Sequence, residues 1–124
     1  MQMEFPISVP PVDMERLNYI SEGDLDNVRE IVDIYIRQTE EHLAQIKLAI
    51  QDQSATGVQA LAHSSVGASS TCGMVAVIAP LRELERMGCE RQLVGAMEHW
   101  AEAGAAFEQI KQFLAAQPGA IIPG

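Results

Sequence analysis

The chain has 124 residues, of which 48 % are apolar and only 5 % aromatic, and its formal net charge at pH 7 is −9. This length suits one domain, and a core of aliphatic residues and methionine suits helices better than a sheet sandwich. The negative charge argues against nucleic acid or anionic lipid as a main partner, because most of the surface would repel a polyanion.

The two ends of the chain are predicted to lie outside the folded domain. Residues 1–11 contain three prolines and no basic residue, so they indicate neither a helix nor a secretory signal. No apolar stretch approaches the roughly 20 residues needed to span a bilayer. We therefore expect a flexible arm over residues 1–11, a bundle over 12–116, a flexible tail over 117–124, and a cytoplasmic protein.

A short helix and a long helix are predicted first. Asp13 can cap a helix that runs to about Ile20, and residues 21–24 then form a turn in which Asp24 caps the next helix. This second helix, over about residues 24–53, is long and amphipathic. Its apolar stripe recurs at 3.6-residue spacing and comprises Val28, Ile31, Val32, Tyr35, Thr39, Leu43, Ile46, Ala49 and Ile50. One helix cannot cover so long a stripe, so a bundle follows.

Three further helices are predicted. Ser54 caps the third helix, and Gly73 breaks it. The fourth ends near Gly88 and contains Pro80, which predicts a kink or a later start because proline lacks a backbone N–H. The fifth runs over about residues 90–116 and carries Leu93 on its apolar side. No alternating strand pattern is present, so we predict an all-α fold.

The third helix carries the candidate chemistry. On a helical wheel, His63 falls on the side opposite the small core residues, with Gln59, Val66, Gly67 and Ser70 around it. An imidazole, whose ordinary pKa is about 6.5, is a nucleophile near neutral pH. Phosphoryl transfer needs in-line approach by a bulky donor, and a glycine one turn after the histidine leaves that approach open. These residues therefore indicate an exposed phosphoacceptor with a docking surface around it.

The other nucleophilic and metal-binding side chains are interpreted as structural. His42 and His99 lie near the apolar stripes of their helices, so we expect core or boundary positions rather than second acceptors. A di-metal bundle site uses Glu-x-x-His, but neither histidine has a glutamate three residues before it. Cys72 and Cys89 lack the spacing of a metal pair and are interpreted as small buried or half-buried thiols. We therefore predict no metal site.

One stretch of sequence resembles a known family. The run AHSSVGASSTCG over residues 62–73, with Leu84, Glu85 and Gly88 in the next helix, is similar to the histidine phosphotransfer (HPt) domains of two-component phosphorelays. Members show an alanine–histidine pair, glycines four and ten residues after the histidine, and a leucine–glutamate pair in the following helix. The helix layout over about residues 12–115 also matches. The resemblance implies an antiparallel up-down four-helix bundle with a short extra N-terminal helix.

The resemblance also implies a function. His63 would accept a phosphoryl group from a receiver-domain aspartate or a sensor histidine kinase and pass it to another receiver. The module would not be an enzyme and would need no cofactor, because the receiver brings the aspartate and the magnesium ion. We expect a monomer whose partners are receiver or kinase domains, and neither nucleic acid nor membrane.

Three positions depart from the family pattern. Relatives usually carry a lysine three residues after the histidine and a large apolar residue two after it, where this chain has Val66 and Ser65. Pro80 is the third departure. Without the lysine a positive charge is missing beside the phosphoryl group, and Arg82 or Arg86 are the candidates to replace it. The alternative function is therefore a degenerate HPt-like adaptor that binds receiver or kinase domains without efficient phosphotransfer.

Overall fold

The computed structural model describes residues 9–119 and 121–122, and these residues contain helices and turns but no strand. The predicted N-terminal arm lies mostly outside the described residues. The elements in chain order are α1 (Met14–Ile20), α2 (Leu25–Gln51), α3 (Ala55–Cys72), a 3₁₀ turn (Val75–Val77), α4 (Ile78–Cys89) and α5 (Ala96–Ala115). Helices α2 to α5 form an up-down bundle in which α3 packs between α2 and α4, and α1 lies against α3. The predicted all-α bundle is confirmed.

The helices begin at the capping residues that the sequence indicated. Asp13, Asp24 and Ser54 each accept a hydrogen bond from a backbone N–H in the first turn of α1, α2 and α3, respectively. Gly73 ends α3 in the left-handed conformation, with φ of 77°, which glycine adopts without steric cost. Helix α3, which carries His63, is thus fixed at both ends.

Pro80 is accommodated by a later start of the fourth helix, one of the two outcomes predicted for it. The segment before it forms the 3₁₀ turn, and α4 begins at Ile78. Pro80 therefore lies in the first turn of α4, where backbone N–H groups have no partner within the helix. The missing N–H removes no helical hydrogen bond at this position.

The predicted start of the fifth helix at Glu90 is wrong. Helix α5 begins at Ala96, because the preceding residues turn the chain: Arg91 and Gly95 have φ of 58° and 84°. Leu93 lies in this turn and packs against the core although it is not helical. It therefore continues the apolar pattern of α5 without belonging to that helix.

The chain after α5 returns to the beginning of α2. Ile121 is buried, and the guanidinium of Arg29 donates to the carbonyl of Gly119. Gly119 and Ile121, which lie within the predicted tail over residues 117–124, thus contact the rest of the bundle. Removing the aliphatic side chain of Ile121 from water lowers the free energy of the folded state.

The core is mainly aliphatic, with one polar layer between α2 and α3. The buried hydroxyl groups of Tyr35 and Ser69 lie 2.8 Å apart, and burial raises the pKa of Tyr35. The hydroxyl of Ser65 is also buried, yet no other described residue hydrogen-bonds to it. An unpaired buried hydroxyl is unfavourable, so Ser65 weakens the α3 core. No helix within the described ranges is long and apolar enough to cross a bilayer.

Candidate functional site

His63 projects into solvent from the middle of α3. Its side chain is 71 % exposed, whereas Val58, Ala62 and Ser69 on the same helix are buried. The small residues of the buried face let the helix pack closely against its neighbours. The imidazole is therefore carried by a rigid, well-packed element but remains accessible to another protein.

A carboxylate from α4 holds one ring nitrogen of His63. Nδ1 of His63 lies 2.7 Å from Oε2 of Glu85, whose side chain is 27 % exposed. Since an ionised carboxylate can only accept, Nδ1 carries the proton and donates it to this hydrogen bond. In the neutral ring Nε2 then keeps its lone pair, and no described residue hydrogen-bonds to it. Nε2 is thus the nitrogen that can act as a nucleophile.

Glu85 reaches His63 because α4 lies very close to α3 at Gly88. A Cβ built on Gly88 would lie 2.6 Å from the backbone nitrogen of Gln59 and 2.7 Å from the carbonyl oxygen of Ala55. No side chain fits at these distances, so only glycine permits this approach. Gly88 follows Glu85 by about one helical turn, and the close contact therefore fixes the level at which Glu85 faces His63.

The residues predicted around His63 differ in their environments. Gly67 and Ser70 are exposed, and a Cβ built on Gly67 would meet no described atom within 4 Å. Gln59 is half-buried and lines a shallow depression that Glu85 also lines. These three residues border the imidazole or the turn that follows it.

Val66 does not lie on the exposed surface, and its predicted place there is wrong. Its side chain is 9 % exposed and belongs to the core. Val66 is only about 40° from the buried Ala62 around the helix axis. It also follows Gln59 and His63, which α4 contacts, at helical spacing. The wheel assumed one buried face, whereas α3 packs against a helix on either side. Val66 therefore provides neither a cation nor an apolar contact to a partner.

The cations of α4 differ in their pairing. Arg86 donates to Glu83 and, at 2.6 Å, to Glu90. The hydrogen bond from Arg86 lowers the pKa of the Glu83 carboxyl group, and the two carboxylates raise the pKa of Arg86. Arg82 is exposed and lines the same depression as Gln59. Its guanidinium has no ion pair or hydrogen bond with any described residue.

The other histidines lie outside this site. His42 is half-buried on α2, as expected for a boundary position, but its Nδ1 is buried with no partner among the described residues. His99 is half-buried on α5, as also expected for a boundary position, and its Nδ1 lies 2.8 Å from Oε1 of Glu102. Within residues 9–119 and 121–122, no three His, Cys, Asp or Glu side chains are grouped so that they could hold a metal ion.

The two cysteines are free thiols in different environments. Cys72 is half-buried, as predicted, and burial raises its pKa. Cys89 is exposed at the depression that Glu85 and Arg82 line, so its interpretation as a buried or half-buried thiol is wrong.

Comparison with known proteins identifies the family. The family model of the Hpt domain matches residues 30–117, a range that includes His63, Gly67, Glu85 and Gly88. The chain belongs to the Hpt domain family. The crystal structure of histidine-containing phosphotransfer protein B (HptB) from Pseudomonas aeruginosa PAO1 is similar, with 26 % identity and a TM-score of 0.79. The match covers 86 % of this chain and 93 % of that one. No curated protein sequence matches this chain.

Membership of the Hpt family gives the site its general role. Hpt domains are phosphocarrier modules of two-component phosphorelays, and their partners are receiver domains and kinases. The sequence identified Glu85 only as part of the leucine–glutamate pair and gave it no role beside His63. The two residues are 22 positions apart on different helices, so no helical periodicity could have paired them.

Proposed function

We propose that the protein accepts a phosphoryl group on Nε2 of His63 and passes it to a receiver domain. The donor is a receiver aspartate or a sensor kinase. The observation that carries the proposal is the 2.7 Å hydrogen bond between Nδ1 of the exposed His63 and Glu85. It orients the ring and leaves the lone pair on the nitrogen that a partner can reach.

Glu85 supports the transfer electrostatically. When Nε2 attacks an aspartyl phosphate, the N–P bond forms, the P–O bond to the aspartate breaks, and the aspartate leaves as a carboxylate with the bonding electrons. The imidazole keeps its Nδ1 proton and becomes positively charged as Nε2 shares its lone pair. Glu85 faces this charge through the Nδ1–H hydrogen bond and therefore stabilises the charged ring more than the neutral one. The receiver supplies the aspartate and the magnesium ion.

The surface beside His63 allows a donor to approach. Gly67 has no side chain, and the space beyond it is free of other atoms within the described part of the chain. Transfer requires the attacking nitrogen, the phosphorus and the leaving oxygen to be roughly in line. We infer that partners dock over this turn of α3.

Substitution Gly67→Gln should separate stability from transfer. We expect the free energy of unfolding to hold or to rise by up to about 1 kcal/mol, because glycine is a poor helix former. Transfer to His63 should fall roughly 10- to 100-fold, since misplacing the reacting atoms by about 1 Å can cost a hundredfold. Thermal unfolding and the rate of labelling from a phosphorylated receiver measure the two effects.

The matched control for this substitution is Gly104→Gln on α5. A Cβ on Gly104 would also meet no atom of the described residues within 4 Å, so the gain in helix propensity should be similar. Because Gly104 lies on α5, which contributes none of the residues described at the His63 site, transfer should stay at the wild-type rate. If Gly67→Gln transferred as fast as this control, partners would not dock over the Gly67 turn.

Labelling with ³²P distinguishes a carrier from the adaptor alternative. The protein is mixed with phosphorylated receiver domains of its own organism, and the label it acquires is tested for acid lability and alkali stability. Such a label indicates a phosphohistidine and supports the carrier. A stable complex with a receiver that transfers no label would support the adaptor. Val66 is buried and supplies no cation beside His63, so the feature that raised the adaptor alternative is still present and this experiment decides between the two functions.

A further inference from the structure

Phosphorylation of His63 would concentrate negative charge at one place on α3. A phosphoryl group brings a charge of about −1.5 to −2 at neutral pH, and Glu85 is already bound to the other nitrogen of the same ring. The chain as a whole carries a net charge of −9. A cation close to the ring would therefore favour the phosphorylated state, and Val66 supplies none.

The packing of α4 on α3 indicates the level of Arg82 relative to His63. Gly88 faces Gln59, and Glu85 contacts His63, so the two helices run antiparallel at this contact. Because Arg82 precedes Glu85 on α4 and the helices are antiparallel, Arg82 lies at the level of the α3 turn that follows His63. Arg82 precedes Glu85 by three residues, so the two side chains are neighbours on the surface of α4.

Arg82 is also the arginine of this depression that is available to bind an anion. Both Arg82 and Arg86 line it, but Arg86 is engaged by Glu83 and Glu90. Arg82 is exposed and forms no hydrogen bond or ion pair with the residues that the structure describes. A guanidinium presents several N–H donors in one plane and pairs well with phosphoryl oxygens.

We propose that Arg82 is the phosphate-binding cation of this site and that its guanidinium pairs with the phosphoryl oxygens on His63. The inference rests on the proposed function, since it requires phospho-His63 to form. Arg82 positions and stabilises the phosphoryl group from α4, whereas relatives usually carry a lysine for this purpose on the helix of the histidine itself.

The experiment measures the ratio of phospho-His63 to phosphorylated receiver at equilibrium, for the wild type and its variants. Arg82→Gln should lower this ratio about twofold to fivefold at low salt, as expected for an exposed ion pair. The difference should shrink towards zero near 1 M salt, where the screening length is about 3 Å. Arg82→Lys should keep most of the wild-type ratio, because the charge remains.

Arg91→Gln is the matched control because it removes the same charge from an exposed arginine in the turn between α4 and α5. It should leave the ratio unchanged. A structural readout is the Nε–H signal of Arg82 in a ¹⁵N correlation spectrum, which should shift when phosphoramidate loads His63. If Arg82→Gln and Arg91→Gln gave equal ratios of phospho-His63 to phosphorylated receiver, with His63 labelled in both, only the role of Arg82 would be overturned. Failure of His63 to take label from either phosphoramidate or a receiver would overturn the proposed function itself.

Discussion

Replacing His63 by glutamine should reduce phosphate uptake to background and leave the bundle folded. The side chain is 71 % exposed, so the free energy of unfolding should change by less than about 0.5 kcal/mol. Glutamine can still hydrogen-bond to Glu85 but has no ring nitrogen to attack phosphorus. Acid-labile ³²P label from a phosphorylated receiver measures the first effect, and thermal unfolding followed by circular dichroism measures the second.

The remaining histidines provide the controls for this experiment. His42→Gln and His99→Gln should take up label at the wild-type level, because neither residue lies at the His63 site. Label on His63→Gln at the wild-type level would place the acceptor on another residue. Unfolding of this variant would instead show that His63 has a structural role.

Substitution Gly88→Ala should destabilise the protein by about 2–3 kcal/mol, although it adds only one methyl group. The new Cβ would meet the backbone of Gln59 at 2.6 Å and that of Ala55 at 2.7 Å, and backbone atoms cannot rotate away as a side chain can. Helix α4 must then move outwards and take Glu85 with it. We expect slower labelling of His63 as well as a lower denaturant midpoint.

Gly104→Ala is the control for the added methyl group. This helical glycine has open space within the described structure, so alanine should stabilise α5 by up to about 1 kcal/mol and leave labelling unchanged. Chemical denaturation of both variants gives the comparison. A Gly88→Ala protein as stable as the wild type would mean that α3 and α4 do not approach as closely as the structure shows.

The features that were predictable from the sequence are local ones. The helix starts were predictable from their capping residues Asp13, Asp24 and Ser54, because a cap accepts hydrogen bonds from backbone N–H groups within three residues. The exposed position of His63 followed from the spacing of its small neighbours around a single helix. The family and the bundle fold followed from the motif around this histidine.

The features that were not predictable depend on how helices meet. The helical wheel placed Val66 on the exposed side of α3, because a wheel of one helix does not include α4. The packing of α4 buries this residue. Leu93 extended the apparent fifth helix because an apolar residue packs equally well from a turn. The pairing of Glu85 with His63 requires the register between two helices, and the contact at Gly88 sets it.

Under the proposed function, the hydrogen bond to Glu85 leaves His63 a single reactive nitrogen, and every partner must reach that same nitrogen. The protein that delivers the phosphoryl group and the protein that removes it must use the same small patch of α3, so they take turns. The first partner must therefore dissociate from α3 before the second partner can bind. An unphosphorylated receiver bound at this patch excludes a phosphorylated donor. The relative concentrations of the partners therefore govern both the rate and the direction of phosphotransfer.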